Sequence, residues 1–257
     1  MRTIAVTQQK GGVGKTATAV HLAAGLARAG HPTLIIDLDP QAPVAPHLGV
    51  VPPDDLIPLA TAIADGRLSE VTLITTHANL FVAPGDPGLD PVAFARLPMR
   101  ETLLKRTLDA LPKAFDFVIL DTPPSLDLVT LNAVMAADLA ILPCDADAES
   151  VKSLGRTLKV IHTYLQFRPG TDAARFARVL VALADPRRRV LNGWAAAQLA
   201  PLAGVTFATA VHKSEAFPKA RANGETVFEY AARHPAGTAA RSVRELEQFV
   251  EEVLHER

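Results

Sequence analysis

The chain has 257 residues, 49% hydrophobic and 21% charged, which suits one α/β domain with a sizeable core and excludes a disordered polymer. A formal net charge of −1 means that any polyanion binding must come from a local patch. The single cysteine, Cys144, excludes an intrachain disulfide framework and a multi-cysteine metal site.

The first apolar run, Thr3–Thr7, begins almost at Met1 and is broken by Gln8, Gln9 and Lys10. That is not a secretory leader, and no run reaches the ~18 apolar residues of a membrane span. Helix Thr16–Ala29 follows, with Gly30 as its C-cap and Pro32 just beyond. Strand Thr33–Asp39 comes next. Ala42–Asp55 carries Pro43, Pro46, Pro52 and Pro53 and reads as a loop. Helix Leu56–Ala64 precedes a second irregular stretch, Thr76–Leu97, broken by Gly85, Pro87, Gly88 and Pro91. Both irregular stretches read as surface connections, with a functional role left open by their position after the second strand.

The remaining alternation is regular. Helices are expected at Glu101–Leu111, Leu128–Ala136, Glu149–Leu165, Val190–Leu202 and Ser242–Leu254. Strands are expected at Asp116–Asp121, Leu139–Cys144, Arg178–Ala184 and Val205–Val211. Most strand runs are continuously apolar, as in parallel sheets buried on both faces. The expectation is a doubly wound α/β fold: one domain over 1–257, a mostly parallel sheet flanked by helices.

Chemistry concentrates between the first strand and the first helix, in Gln9-Lys10-Gly11-Gly12-Val13-Gly14-Lys15-Thr16. Glycines let backbone N–H groups turn inward around phosphate oxygens, and the following helix presents its positive end to the anion. In such a loop Lys15 reaches the β- and γ-phosphates and the Thr16 hydroxyl binds Mg²⁺. A glycine-rich turn that merely caps a helix is the plainer alternative. Gly-Lys-Thr after a buried strand argues against it.

The ordinary phosphate-loop pattern has glycine where this chain has Gln9. Lys10 through Thr16 instead resembles the deviant Walker A box of the ParA/MinD superfamily. The resemblance implies an ATPase with ATP and Mg²⁺ as cofactors. It implies catalytic roles for Lys10, Lys15 and Asp39, with Lys10 reaching across an ATP-bound homodimer to the partner's nucleotide. Nucleotide contacts are implied at Lys10, Gly11, Gly12, Val13, Gly14, Lys15, Thr16 and Ala17. Asp185 lies near where relatives contact the adenine.

Asp37-Leu38-Asp39-Pro40-Gln41 resembles the family's switch I box, and Ile119–Ser125 its Walker B and switch II segment. The resemblance places Thr16, Asp37 and Asp121 around the metal and has Asp39 orient the attacking water. Carboxylates that merely cap strand-end turns are the alternative reading. Two departures stand out. Many relatives have threonine where this chain has Ala17, and glycine and asparagine where it has Ala42 and Pro43.

One cysteine excludes the cluster-binding relatives, and two tyrosines exclude the tyrosine kinases with their tyrosine-rich tails. Residues 241–257 hold five acids and three bases, which disfavours a membrane-binding tail of the MinD kind. Residues 175–240 hold nine Lys or Arg against four Asp or Glu. Because ParA proteins bind DNA through basic residues in this region, Arg187, Arg188 and Arg189 are candidates, with Lys213, Lys219 and Arg221 in support. A solvated helix face remains the alternative for each. The implied function is ATP-dependent, sequence-independent DNA binding by a cytoplasmic, nucleoid-associated partitioning ATPase that a ParB-like partner stimulates. A positioning ATPase for non-DNA cargo and an ATP-dependent small-molecule synthetase remain open.

Overall fold

The computed structural model describes residues 1–75, 77–90, 99–112, 114–168, 170–185, 189–235 and 237–256. Within them an eight-stranded sheet runs in the order β3-β4-β2-β5-β1-β6-β7-β8. The strands are β1 (Arg2–Val6), β2 (Thr33–Asp37), β3 (Leu73–Ile74), β4 (Leu80–Ala83), β5 (Phe117–Asp121), β6 (Leu139–Cys144), β7 (Ala177–Ala184) and β8 (Thr206–His212). Seven are parallel, and β3 is an antiparallel edge on β4. This is the doubly wound architecture that the apolar runs predict. β3 and β4 are additions, because a run as short as Leu80–Ala83 becomes a strand only once β2 supplies its hydrogen bonds.

Eleven α-helices are present among the described residues. They are α1 (Lys15–Arg28), α2 (Val44–His47), α3 (Leu59–Asp65), α4 (Leu103–Asp109), α5 (Leu128–Ala136), α6 (Ala148–Leu165), α7 (Ala173–Phe176), α8 (Arg189–Leu199), α9 (Ala216–Ala222), α10 (Val227–Arg233) and α11 (Thr238–His255). Their apolar faces make two buried clusters, one on each side of the sheet. One joins α3, α4, α5, α6 and Leu199 of α8 to the sheet. The other joins α1, α9, α10 and α11 to it. Short α2 lies inside the proline-rich loop that the sequence leaves irregular. Among the described residues no helix is long and apolar enough to cross a membrane.

Two contacts fix the helices around the site. Gly25 lets α1 approach α11 so closely that an added Cβ would sit 2.5 Å from Val250 Cγ2. After α2, Gly49 at φ 64° meets Gly224 at φ 65°, backbone against backbone; a Cβ on Gly49 would lie 2.6 Å from the Gly224 carbonyl oxygen. Gly49→Ala therefore combines a left-handed backbone with a clash against an atom that cannot rotate away. A loss of roughly 1–3 kcal/mol is expected in urea unfolding.

Candidate nucleotide site

The site lies where the central strands end. β1 leads through Thr7, Gln8 and Gln9 into the glycine loop, in which Gly12 and Gly14 take φ of 75° and 89°. No side chain caps the N-terminus of α1 and no acid lies in its first turn. Its free N–H groups and positive end face the loop, an arrangement that attracts phosphate. Lys15 is buried, and its ammonium donates to the Lys10 carbonyl at 3.2 Å. Burial pushes its pKa down, against the pull of Asp121 and Asp39.

Asp37 and Asp121 end adjacent parallel strands in direct register, and both are fully buried. Asp37 is occupied: Oδ2 accepts from Val44 N at 2.8 Å and Oδ1 from Asp39 N at 3.1 Å. It thereby anchors the loop that carries Asp39. Burial still raises its pKa to about 7. Asp121 has no hydrogen-bond partner on either oxygen. Burial and then Asp37 push its pKa well up, while the Thr16 hydroxyl and Lys15 oppose the rise without closing a full hydrogen bond. An orphaned buried carboxylate is costly, and a nearby divalent cation removes the cost. Thr16 and Asp121 thus fit Mg²⁺. Among the described residues no cluster of three or more acids, histidines or cysteines forms a cage. Mg²⁺ needs none, since phosphates and water supply most of its ligands.

Asp39 is partly exposed at the start of the loop, where its Oδ1 accepts from Gln41 N at 2.9 Å. Ala42 takes φ 48°, a glycine-like conformation that costs a residue with a Cβ about 1–2 kcal/mol. The loop keeps that turn although this chain lacks glycine there. The second irregular stretch also reaches the site: a Cβ on Gly85 would lie 2.7 Å from the Asp39 carbonyl oxygen and 3.1 Å from Asp37 Cγ.

Lys10 is held within its own chain. Its ammonium donates to Asp147 Oδ1 and Oδ2 at 2.8 and 2.7 Å, and to Ser150 Oγ at 3.1 Å. Asp147 is also the N-cap of α6, accepting from Ser150 N at 2.8 Å. Burial raises the Asp147 pKa, but Lys10 and Ser150 outweigh it and hold the carboxyl below its usual range. Buried Gln8 ties the loop further to α6, its Oε1 accepting from Ser153 Oγ at 3.0 Å and Thr157 Oγ1 at 2.7 Å.

On the other flank, Leu183 sits in β7 at φ 57°, within the irregular register between β7 and β8. Its side chain lies 3.7 Å from the position a Gly14 Cβ would take. Ala17 lines an apolar cavity of about 50 Å³ with Gly14, Thr18, Leu183 and Phe217. Asp185 follows β7 and lines a separate polar cleft with His212, Lys213 and Arg241. Lys213, Lys219 and Arg221 are exposed. Arg187 and Arg188 lie outside the described residues, and Arg189 begins α8.

An AAA domain family matches residues 1–168. The chromosome-partitioning ATPase Soj of Thermus thermophilus is 33% identical over 248 residues, 95% of this chain and 94% of that protein. The chain belongs to the ParA family of deviant Walker A ATPases. Apo McdA from Cyanothece shares this ParA-family fold with a TM-score of 0.84 and 26% identity, covering 99% of each chain. Cobyrinic acid a,c-diamide synthase from Mycobacterium smegmatis, solved with ADP and magnesium, matches at TM-score 0.73 and 27% identity, over 92% of this chain and 97% of that one. ATP and Mg²⁺ are the cofactors of this ParA-type site.

Sequence reasoning missed Gln8, Gly85, Asp147, Ser150, Ser153 and Thr157. For Asp147 a signal exists, an Asp-x-x-Ser at a helix start. Nothing local indicates that its carboxylate meets a lysine 137 positions away.

Two outcomes follow for this ParA-family chain. In the metal-free protein Asp37 and Asp121 keep protons that the unfolded chain releases near its ordinary carboxylate value of 3.8. Stability from this source is full below that value and is lost as pH rises through about 7. Buried His21 and His47, lowered to about 4 and about 3, act oppositely, weakening the fold only as pH falls below 6.5. Without metal, Tm should therefore fall as pH rises from 6.5 through about 7. Mg²⁺ with nucleotide, or Asp37→Asn, should flatten that fall in scanning fluorimetry. Second, Asp147→Asn keeps the α6 cap but removes the carboxylate charge that holds the Lys10 ammonium. Acylation of Lys10, read by peptide mass spectrometry, should rise several-fold with little change in Tm.

Proposed function

We propose that this chain is a partitioning ATPase whose ATP-bound homodimer holds DNA without sequence preference and releases it on hydrolysis. The observation that carries this reading is the second lysine of the loop. Lys10 stands beside Lys15 at the mouth of a complete phosphate site, and its partner within the chain is an N-cap carboxylate rather than the loop. A cation so placed serves a phosphate that arrives from outside, as an arginine finger does.

In this reading Lys10, Lys15 and the N–H groups of Gly11 through Ala17 hold the phosphates. Asp185 belongs to the adenine side. Thr16 and Asp121 hold Mg²⁺, with Asp37 beside them as the anchor of the loop. The metal, when bound, neutralises charge on the β- and γ-phosphates. Asp39 orients the attacking water, and Lys15 and Lys10 stabilise charge on the transferred group. Arg187, Arg188 and Arg189, with Lys213, Lys219 and Arg221, supply phosphate contacts to DNA. A ParB-like protein bound to the cargo stimulates hydrolysis, so the cycle switches affinity more than it turns over metabolite. The likeness to Soj along nearly the whole chain supports partitioning over synthesis. The likeness to a diamide synthase keeps a small-molecule synthetase as the second reading.

The test measures ATP turnover and DNA binding together. Lys15→Ala should abolish both. Lys10→Ala should still bind nucleotide but lose dimerisation in analytical ultracentrifugation. Wild-type binding to random duplex should need ATP and weaken about a hundredfold or more between 50 and 200 mM salt, for roughly four to six phosphates neutralised. Salt-independent binding, or turnover surviving in both lysine variants, would sink the reading.

A further inference from the structure

Helix α6 carries two stripes side by side. Lys152, Arg156 and Lys159, all exposed, follow one another at i, i+4 and i+7, with exposed His162 one turn further. Leu158, Ile161 and Leu165 recur beside them at i, i+3 and i+7. The second stripe forms one wall of an open groove of about 560 Å³, which Ala173 of α7 and Ala177 of β7 complete. Lys159 and His162 line the same groove, and among the described residues no carboxylate does.

Among the described residues no ion pair involves Lys152, Arg156 or Lys159, whereas Lys105 and Arg175 sit on carboxylates three or four residues away. The one carboxylate of α6, Glu149, lies at its start, 3.8 Å from Lys10. Phe167, two residues beyond the helix, is 73% exposed. Gly155 is exposed within the cationic stripe, and an added Cβ would meet nothing within 4 Å, so a partner can approach the helix backbone there. An apolar groove beside uncompensated cations, with an exposed aromatic ring at one end, has the composition of an interface rather than of a solvated face.

The surroundings narrow the occupant. An extended peptide strand needs a free sheet edge, and β7 is paired on both sides, with β6 and β8. A second copy of this chain would have to offer an acidic amphipathic helix, and α11 already buries Leu246, Phe249 and Val253 in the core. The phosphate backbone of DNA would meet the cations but leave the apolar stripe without a partner. The face is also separate from the candidate DNA contacts Lys219 and Arg221 on α9. Leu154 and Ile161 of α6 belong to the core on one side of the sheet, Ala216 and Ala220 of α9 to the core on the other. The basic residues thus divide between the two sides.

We propose that the outer face of α6 docks a partner protein through an amphipathic helix, whose apolar side enters the groove at Leu158, Ile161 and Leu165 and whose flanking carboxylates meet Lys152, Arg156 and Lys159. Apolar side chains at helical spacing supply the affinity, and the charges fix the register. The proposal goes beyond the partitioning reading and does not rest on it, because nothing in it requires nucleotide or DNA.

Fluorescence anisotropy of a labelled peptide on the full-length protein tests it. The peptide has about fourteen residues, with leucine at every third or fourth position and glutamate along both flanks. A scrambled peptide of the same composition keeps the charge and loses the stripe. Wild type should bind the amphipathic peptide about tenfold or more tightly than the scrambled one. The triple variant Lys152→Gln/Arg156→Gln/Lys159→Gln and the groove variant Leu158→Ala should each lose about fivefold or more, with Tm and nucleotide binding as folding controls. Lys105→Gln/Arg106→Gln, which removes exposed charge elsewhere, should stay within about twofold of wild type. Equal affinity for the two peptides, binding of neither, or a triple variant that binds like wild type overturns the proposal. So does a triple variant that loses random duplex DNA while wild type ignores the peptide, which assigns the cations to a nucleic acid. Duplex binding by wild type is measured in parallel, so failure of the DNA reading and failure of this proposal are separate results.

Discussion

Two buried carboxylates set side by side govern this structure. Asp37 and Asp121 are brought together by the parallel pairing of β2 with β5, and neither reaches water. Burying two like charges is unfavourable unless something compensates. Part of the compensation is internal. Asp37 spends both oxygens on the backbone of the following loop, and so holds Asp39 and α2 in place. The rest must come from outside the chain, because Asp121 has no partner. Lys15, the Thr16 hydroxyl and the uncapped end of α1 surround that deficit. The same arrangement that destabilises the metal-free protein makes the site receptive to a cation bound to phosphate.

The loop anchored by Asp37 is also connected to the far side of the domain. His21 on α1 is fully buried and satisfied at both ring nitrogens. Nδ1 donates to the Ala17 carbonyl at 2.7 Å and Nε2 accepts from Val227 N at 3.0 Å, which sets the tautomer. Its ring contacts His47 of α2 and Phe217 of α9 edge to face. With Gly49 against Gly224, these contacts make the phosphate-loop helix, the Asp39 loop and the C-terminal helices one packed unit. Lys10 belongs to a different unit. It is tied to α6 through Asp147 and Ser150, and Gln8 ties the loop to the same helix. The glycine loop thus joins two sides of the sheet that have separate cores.

Much of the candidate site is legible in the sequence because its parts are local. Lys10 through Thr16 is one unbroken segment, and Asp37, Asp39 and Asp121 stand at the ends of continuous apolar runs. Chain-local patterns also give the parallel sheet and most helices, with ends shifted by a few residues. What is missed is non-local. β4 is four residues long and exists because β2 pairs with it. Gly85 lies in a stretch that reads as a surface connection, and its need for a bare α-carbon appears only once that stretch crosses Asp37 and Asp39. Ala42 shows a turn that outlasts the residue suited to it, since the hydrogen bond from Val44 to Asp37 holds the backbone from its other end.

The sequence by itself determined the parallel α/β scaffold, the glycine-rich loop with its two lysines, and the strand-end carboxylates of the candidate site. Short-range spacing and apolar periodicity suffice for these, because each is written within a few consecutive residues. Only the tertiary structure decided which carboxylate is left without a partner, where Lys10 rests within its own chain, and how the basic residues divide between the two sides of the sheet. Those depend on contacts between residues far apart in the chain, and burial and pairing arise only when the sheet closes around them.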